Sequence, residues 1–273
     1  LSAGVQGAGG MVTSYKVEDK CTGRCTGTLR TIDIWVEPTA RLSLVPPQDT
    51  ICDTETAIIE ITSPTQPTLP VRFDYSVTVD DSDSLSFAPV GSTTGLVTGD
   101  DIQVTFDNLS DRAQRAVITV TPYTLDDKGD LRCTGIQSTV DIWVEPTARL
   151  SLIPPQDTIC DTETTSIEIT SPTQPTLPVR FDYSVAVDDS DSLSFTPVGS
   201  TTGLITGDDI QVTFDNLSDR AQRAVITVTP YTVDDKGDPR CTGIQSTIDI
   251  WVEPTARLSL VPPQDTICDT ETT

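Results

Sequence analysis

The sequence has no histidine and one methionine, and its 17 Lys+Arg face 41 Asp+Glu over 273 residues. Without histidine there is no Ser-His-Asp triad, no Cys-His pair and no imidazole to ligate a metal. Carboxylate pairs exist, but they fall in turn-like segments that recur along the chain, so no enzyme is expected. The shortage of cations leaves a formal net charge of −24 and a pI near 4.1. Such a surface repels phosphate backbones and anionic lipid, which removes nucleic acid as a partner. No apolar run approaches the ~18 residues of a membrane span, so no membrane insertion is expected. The N-terminus lacks the basic and apolar regions of a signal peptide. Leu1 and the closing Cys268-Asp269-Thr270-Glu271-Thr272 both read as cuts through a longer polypeptide.

What is present is a repeat of 108 residues. Cys52-Asp53-Thr54-Glu55-Thr56 recurs at Cys160 and at Cys268, and Ile34-Trp35-Val36-Glu37-Pro38 recurs at Ile142 and Ile250. Residues 39–146 and 147–254 differ at 9 of 108 positions, and each carries 17 acids and 6 bases, hence 6 − 17 = −11. Residues 1–38 read as the end of a preceding unit, and 255–273 as the start of another. Tandem units of this period form one-dimensional arrays, which set length, stiffness and valency.

Within a unit the apolar pattern has a period of two. Val71, Phe73, Tyr75 and Val77 alternate with Arg72, Asp74 and Ser76, as a half-buried strand requires. Similar segments are expected at 40–45, 56–62, 85–90, 102–106, 116–120 and 137–145, and turn residues such as Asp126-Asp127-Lys128-Gly129-Asp130 separate them. No stretch has a helical period. Seven strands with turns every 8–15 residues predict an all-β fold, a tandem array of immunoglobulin-like sandwiches. Trp143 has outward parity beside Glu145-Pro146. Trp35, Trp143 and Trp251 are therefore expected to pack at the domain junctions, with exposed binding aromatics as the alternative.

The segments Val117-Ile118-Thr119-Val120-Thr121-Pro122-Tyr123, Cys133-Thr134-Gly135, Val140–Pro146 and Asp157-Thr158-Ile159-Cys160 resemble the PKD-like, immunoglobulin-like repeats of very large Bacteroidota surface proteins. Those include gliding-motility adhesins and other cargo of the type IX secretion system. The resemblance implies an extracellular, cell-surface β-sandwich stalk, whose partners would be neighbouring repeats of the same chain or other copies in a fibre. It names no ligand.

Seven cysteines remain to be placed: Cys21, Cys25, Cys52, Cys133, Cys160, Cys241 and Cys268. Two per unit without histidine point to disulfides in an oxidising compartment rather than zinc. Cys133 opens the last strand at one pole of the sandwich and Cys52 precedes the second strand at the other, ~40 Å away at 3.3 Å per residue. A bridge needs Cα atoms within ~7 Å. Pairing Cys52 with Cys241 across consecutive units therefore fits better than the intradomain pairs Cys52–Cys133 and Cys160–Cys241, which stay open. Cys21 is the odd one and could meet Cys25.

Two weaker site readings complete the sequence. Asp80, Asp81 and Asp83, with Asp126, Asp127 and Asp130, place hard oxygens on turns where calcium could bind, though no EF-hand spacing is present. The alternative is a set of solvated acidic turns. Thr50, Ser84, Thr158 and Ser192 lie in short Asp-Thr or Asp-Ser acceptor patterns for O-glycosylation. Asn108-Leu109-Ser110 and Asn216-Leu217-Ser218 match the N-glycosylation triplet, read here as chance. The functional expectation is a structural stalk or surface filament holding out a tip, with an adhesin whose repeats themselves bind glycan or protein as the alternative.

Overall fold

Alternating Ile, Val and Phe along short segments can bury one face only by pairing into sheets and stacking them. The computed structural model, which describes residues 2–5, 11–17, 30–153 and 158–259, contains strands in two compact units. The first unit comprises Leu1–Thr147 together with Thr173–Leu177, and the second Ala148–Pro172 with Pro178–Thr273. Strands β1 (Ser2–Val5), β2 (Met11–Val17) and β3 (Arg30–Val36) form an antiparallel three-stranded sheet in the first.

Nine further strands complete that unit: β4 (Ser43–Val45), β5 (Gln48–Cys52), β6 (Thr56–Thr62), β7 (Val71–Val79), β8 (Leu85–Val90), β9 (Asp101–Asn108), β10 (Gln114–Leu125), β11 (Leu131–Thr134) and β12 (Ser138–Glu145). One sheet runs β4-β6-β9-β8 and the other β11-β10-β12-β5, with β7 on the second side of β10. Their inner faces meet in one core of Ile59, Ile61, Phe73, Val104, Phe106, Ile118, Val120, Ile142 and Val144, all at 0% exposure. At ~25 cal/mol per Å² of apolar area, this layer is the dominant stabilising term of the sandwich. Two antiparallel sheets with β5 added parallel to β12 make an immunoglobulin-like sandwich.

The second unit repeats the plan with β13 (Ser151–Ile153), β14 (Thr158–Cys160), β15 (Thr164–Thr170), β16 (Val179–Val187), β17 (Leu193–Val198), β18 (Asp209–Asn216), β19 (Gln222–Val233), β20 (Pro239–Thr242) and β21 (Ser246–Glu253). Its sheets are β13-β15-β18-β17 and β14-β21-β19-β16, with β20 on β19. Pro239, where the first unit has Leu131, opens the edge strand β20, a place that tolerates a missing donor.

Among the described residues, each 108-residue repeat has nine strands, two more than the seven expected. The anticipated strand 40–45 is confined to β4, and after Pro46-Pro47 the chain crosses to the other sheet as β5. The last strand is broken into β11 and β12 at Gly135, whose N–H donates to Pro122 O at 2.7 Å. A Cβ there would stand 2.2 Å from Ala40 O, so the Cys-Thr-Gly sequence marks a close backbone approach only glycine permits. The free edge of β7 is not bare: Thr93 and Leu96 accept the N–H groups of Tyr75 and Phe73. Covered edges of this kind discourage strand pairing between chains.

Candidate functional site

The cysteines separate into two states. Cys52 and Cys241 are disulfide-bonded, whereas Cys133 and Cys160 are exposed free thiols. Cys21, Cys25 and Cys268 lie outside the described residues. The intradomain alternatives Cys52–Cys133 and Cys160–Cys241 are thereby excluded, and the reason is geometric. Cys52 pairs in register with Glu145, next to the Gln114 end of β10, while Cys133 stands opposite Thr124. Ten residues of strand, roughly 34 Å, separate those levels, far beyond disulfide reach.

The recurring Cys-Asp-Thr-Glu sequence builds the turn that presents Cys52. Glu55 folds back so that Oε2 accepts the Cys52 N–H at 2.8 Å, and its own N–H donates to Cys52 O at 3.1 Å. Thr54 takes the left-handed conformation, φ 63°, to close the turn. Asp53 Oδ1 accepts the Asn108 N–H at 2.8 Å, and Oδ2 accepts the Thr147 hydroxyl at 2.5 Å. The second unit copies this: Glu163 on Cys160, and Asp161 on Asn216 and Thr255.

A second recurring contact was not anticipated. The linker glutamate of Trp-Val-Glu-Pro is gripped by a threonine 31 residues downstream. Glu37 accepts the Thr68 N–H at 2.8 Å and, through its other oxygen, the Thr68 hydroxyl. Glu145 accepts the Thr176 N–H at 2.9 Å and the Thr176 hydroxyl in the same way. Thr176 belongs by sequence to the second 108-residue repeat, yet Thr173–Leu177 is part of the first compact unit. There Gln174 N–H also donates to Asp111 O at 2.6 Å, and Gln174 bridges to Arg112. Glu145 is fully buried by these contacts. Two charge-assisted bonds to one carboxylate make a short, directional clamp.

All three tryptophans are partly solvent-exposed. Trp35, Trp143 and Trp251 are 62%, 39% and 44% exposed. The outward parity of Trp143 is as expected, but it lies in register with Thr50 on one side and Arg115 on the other, on an open sheet face. Arg115 there pairs with Asp141 at 2.7 Å and Asp80 at 3.7 Å, and Arg223 repeats this with Asp249 and Asp188.

The acidic turns hold themselves together. Asp81 accepts the Ser84 hydroxyl at 2.7 Å and the Asp83 N–H at 3.0 Å, and Asp126 accepts the N–H groups of Lys128 and Asp130. Asp80 is engaged by Arg115. Among the described residues no three Cys, Asp or Glu side chains converge on a metal position, and Asp127 stands in the same hairpin without joining such a group. Of the glycosylation candidates, Ser84 and Ser192 donate their hydroxyls to Asp81 and Asp189, and Thr50 and Thr158 stand on β5 and β14.

Hydrogen bonding sets the titration of these turns. The Ser84 hydroxyl first, then the Asp83 N–H, hold the Asp81 carboxyl below its ordinary 3.8, and Ser192 does the same for Asp189. The Thr255 hydroxyl and Asn216 N–H lower Asp161, and the Asp238 N–H lowers Asp234. Depressed carboxyls contribute stability that is complete above the unfolded-state value and lost as pH falls through the folded one. The thermal midpoint is therefore expected to hold steady from neutral pH down to about 5 and to drop below about 4. Circular dichroism melts across that range check it, and a midpoint that rises on acidification would show charge relief dominating instead.

No family model and no curated protein matches the chain. Among solved structures, it is similar to domains 5–6 of the S-layer protein SbsC, at 13% identity over 81% of this chain and 100% of that one, with a TM-score of 0.25. It is also similar to the Escherichia coli adhesin FdeC, at 12% over 90% and 75%, TM-score 0.37. The titin I-band fragment I67–I69 matches at 9% over 90% and 75%, TM-score 0.39. Among the described residues no helix is long and apolar enough to cross a membrane.

Proposed function

We propose that this chain is a segment of a structural stalk or surface filament of a secreted repeat protein. In this reading it holds out an adhesive or other tip, and it works by resisting extension rather than by catalysis. The observation that carries the reading is the linker clamp, formed at Glu37–Thr68 and again at Glu145–Thr176, one repeat apart. A hinge that must flex has no use for a doubly bonded linker carboxylate, whereas a spacer that must keep its pitch does. Disulfide-bonded Cys52 and Cys241 favour an oxidising, extracellular location. The high negative charge favours solubility of a long array.

In the same reading Cys52 and Cys241 bond to each other as a staple between consecutive repeats. Non-reducing peptide mapping is expected to recover that pair, and Cys52→Ser to lower stability by about 2–4 kcal/mol. Recovery of Cys52 with any other cysteine would defeat it. Negative-stain imaging of the native protein tests the function: threads support it, and near-spherical particles overturn it. The exposed Trp143 beside Arg115, repeated as Trp251 beside Arg223, favours the second reading, a repeat that grips glycan or protein itself. Strong binding by the chain on a glycan array, lost in Trp143→Ala/Trp251→Ala, would favour that reading over the stalk.

A further inference from the structure

The clamp glutamate recurs at Glu37, Glu145 and Glu253, and the cysteine of the Cys-Asp-Thr-Glu turn recurs at Cys52 and Cys160. Glu37 and Glu145 each hold a threonine, but Glu253, the next in the series, is exposed where Glu145 is fully buried. Cys52 is bonded, but its counterpart Cys160 is an exposed free thiol. Asp111 and Arg112 receive Gln174, while Asp219, the counterpart of Asp111, lines an open cleft of about 390 Å³ together with Pro254, Thr255, Ala256 and Arg257. Asp219 there meets Arg257 at 3.7 Å, with both side chains largely solvent-exposed.

We propose that this end of the second unit is a receptor for a further copy of the 108-residue unit, which inserts its Thr-Gln-Pro-Thr loop against Glu253 and Asp219 and is then locked through Cys160. The occupant is defined by the filled copies. Thr173-Gln174-Pro175-Thr176 presents a threonine N–H, a threonine hydroxyl and a glutamine N–H to Glu145 and Asp111. The same four residue types at 65–68 put Thr68 on Glu37. Glu253 therefore takes the threonine N–H and hydroxyl of the incoming loop. The lock is an oxidation. Cys160 and the incoming counterpart of Cys241 each give up a proton and together two electrons, forming the S–S bond. A small-molecule disulfide such as oxidised glutathione accepts the electrons and leaves as two thiols. This rests on the staple between Cys52 and Cys241, and it adds that every unit carries one donor and one acceptor end, so the lock propagates along the array.

The test lengthens the chain by inserting a second copy of residues 147–254 after Pro254, expressed and oxidised with a glutathione couple. Thiol alkylation and peptide mapping then follow. In the 273-residue chain Cys160 alkylates; in the lengthened chain it is expected to lose alkylation and to appear bonded to the inserted counterpart of Cys241. If Cys160 still alkylates while Cys52 stays bonded to Cys241, the propagating lock is overturned and the original staple stands. If Cys52 alkylates as well, the staple reading itself falls. The clamp is read separately by hydrogen exchange in a lengthened Cys160→Ser chain. The inserted counterpart of the Thr176 amide is expected to be protected and to lose protection in Glu253→Ala. Equal exchange with and without Glu253 overturns the receptor.

Discussion

Glu145→Ala is expected to destabilise the first unit by on the order of 4 kcal/mol, as two hydrogen bonds to a charged acceptor at 1.5–3 kcal/mol each imply. Glu145 is fully buried, and its two oxygens take the N–H and hydroxyl of Thr176. Alanine leaves both donors without their acceptor and opens a space where the side chain lay. Glu145→Gln keeps one carbonyl oxygen for one of the two donors, so roughly half the loss is expected. Guanidinium unfolding gives the stability difference. Hydrogen exchange at Thr176 localises it, since the amide is expected to exchange faster in Glu145→Ala while amides in the core of β10 keep their order of protection. Unchanged exchange at Thr176 would mean that the Gln174 contacts with Asp111 and Arg112 hold the segment without the glutamate.

That clamp shows where sequence reading reaches its limit. Period-two alternation was enough to place the core: Phe73, Val104, Phe106, Ile118, Val140, Ile142 and Val144 all face inward as their parity requires. Two short strands, β5 and β11, were missed. β5 directs Ile51 into the core and is held by parallel pairing with β12, a long-range contact that no local pattern encodes. β11 has no buried residue at all. Strand length did settle the cysteine geometry, because the distance between two levels of a strand follows from residue count. Glu145 and Thr176 were illegible for a different reason. A near-identical repeat makes every residue recur, so recurrence stops distinguishing a contact residue from its neighbours, and a glutamate before proline looks like a solvated strand end. For the tryptophans, parity gave the face a ring occupies but not how far it is covered: Trp143, outward as expected, is 39% exposed.

The Asn-Leu-Ser triplet is the other feature whose chemistry only the fold reveals, and it carries the last large effect. Asn108 is 4% exposed, and its side chain makes four hydrogen bonds. The amide nitrogen donates to Arg112 O at 2.9 Å and to Val144 O at 2.8 Å, and the oxygen accepts the N–H and hydroxyl of Ser110. The residue thus ties the corner after β9 to the end of β12, beside the linker. Glycosylation of that nitrogen would need it in solvent, so the triplet is structural, and the same holds for Asn216 on Arg220 and Val252. Asn108→Ala removes the side-chain donor to the buried Val144 carbonyl and the acceptor of the Ser110 N–H, at ~1–3 kcal/mol for each buried group, while the Ser110 hydroxyl keeps Arg112 O. The summed loss is expected to be about 4 kcal/mol, against less than half of that for Ser110→Ala, which leaves both amide-nitrogen bonds intact. Asn108→Asp separates the two contributions. The carboxylate still accepts from Ser110 but cannot donate to Val144, so its loss should approach that of alanine. Denaturant unfolding of the three variants measures this ordering. An aspartate variant as stable as the wild type would show that the Val144 contact is dispensable and that the corner closes through Ser110 alone.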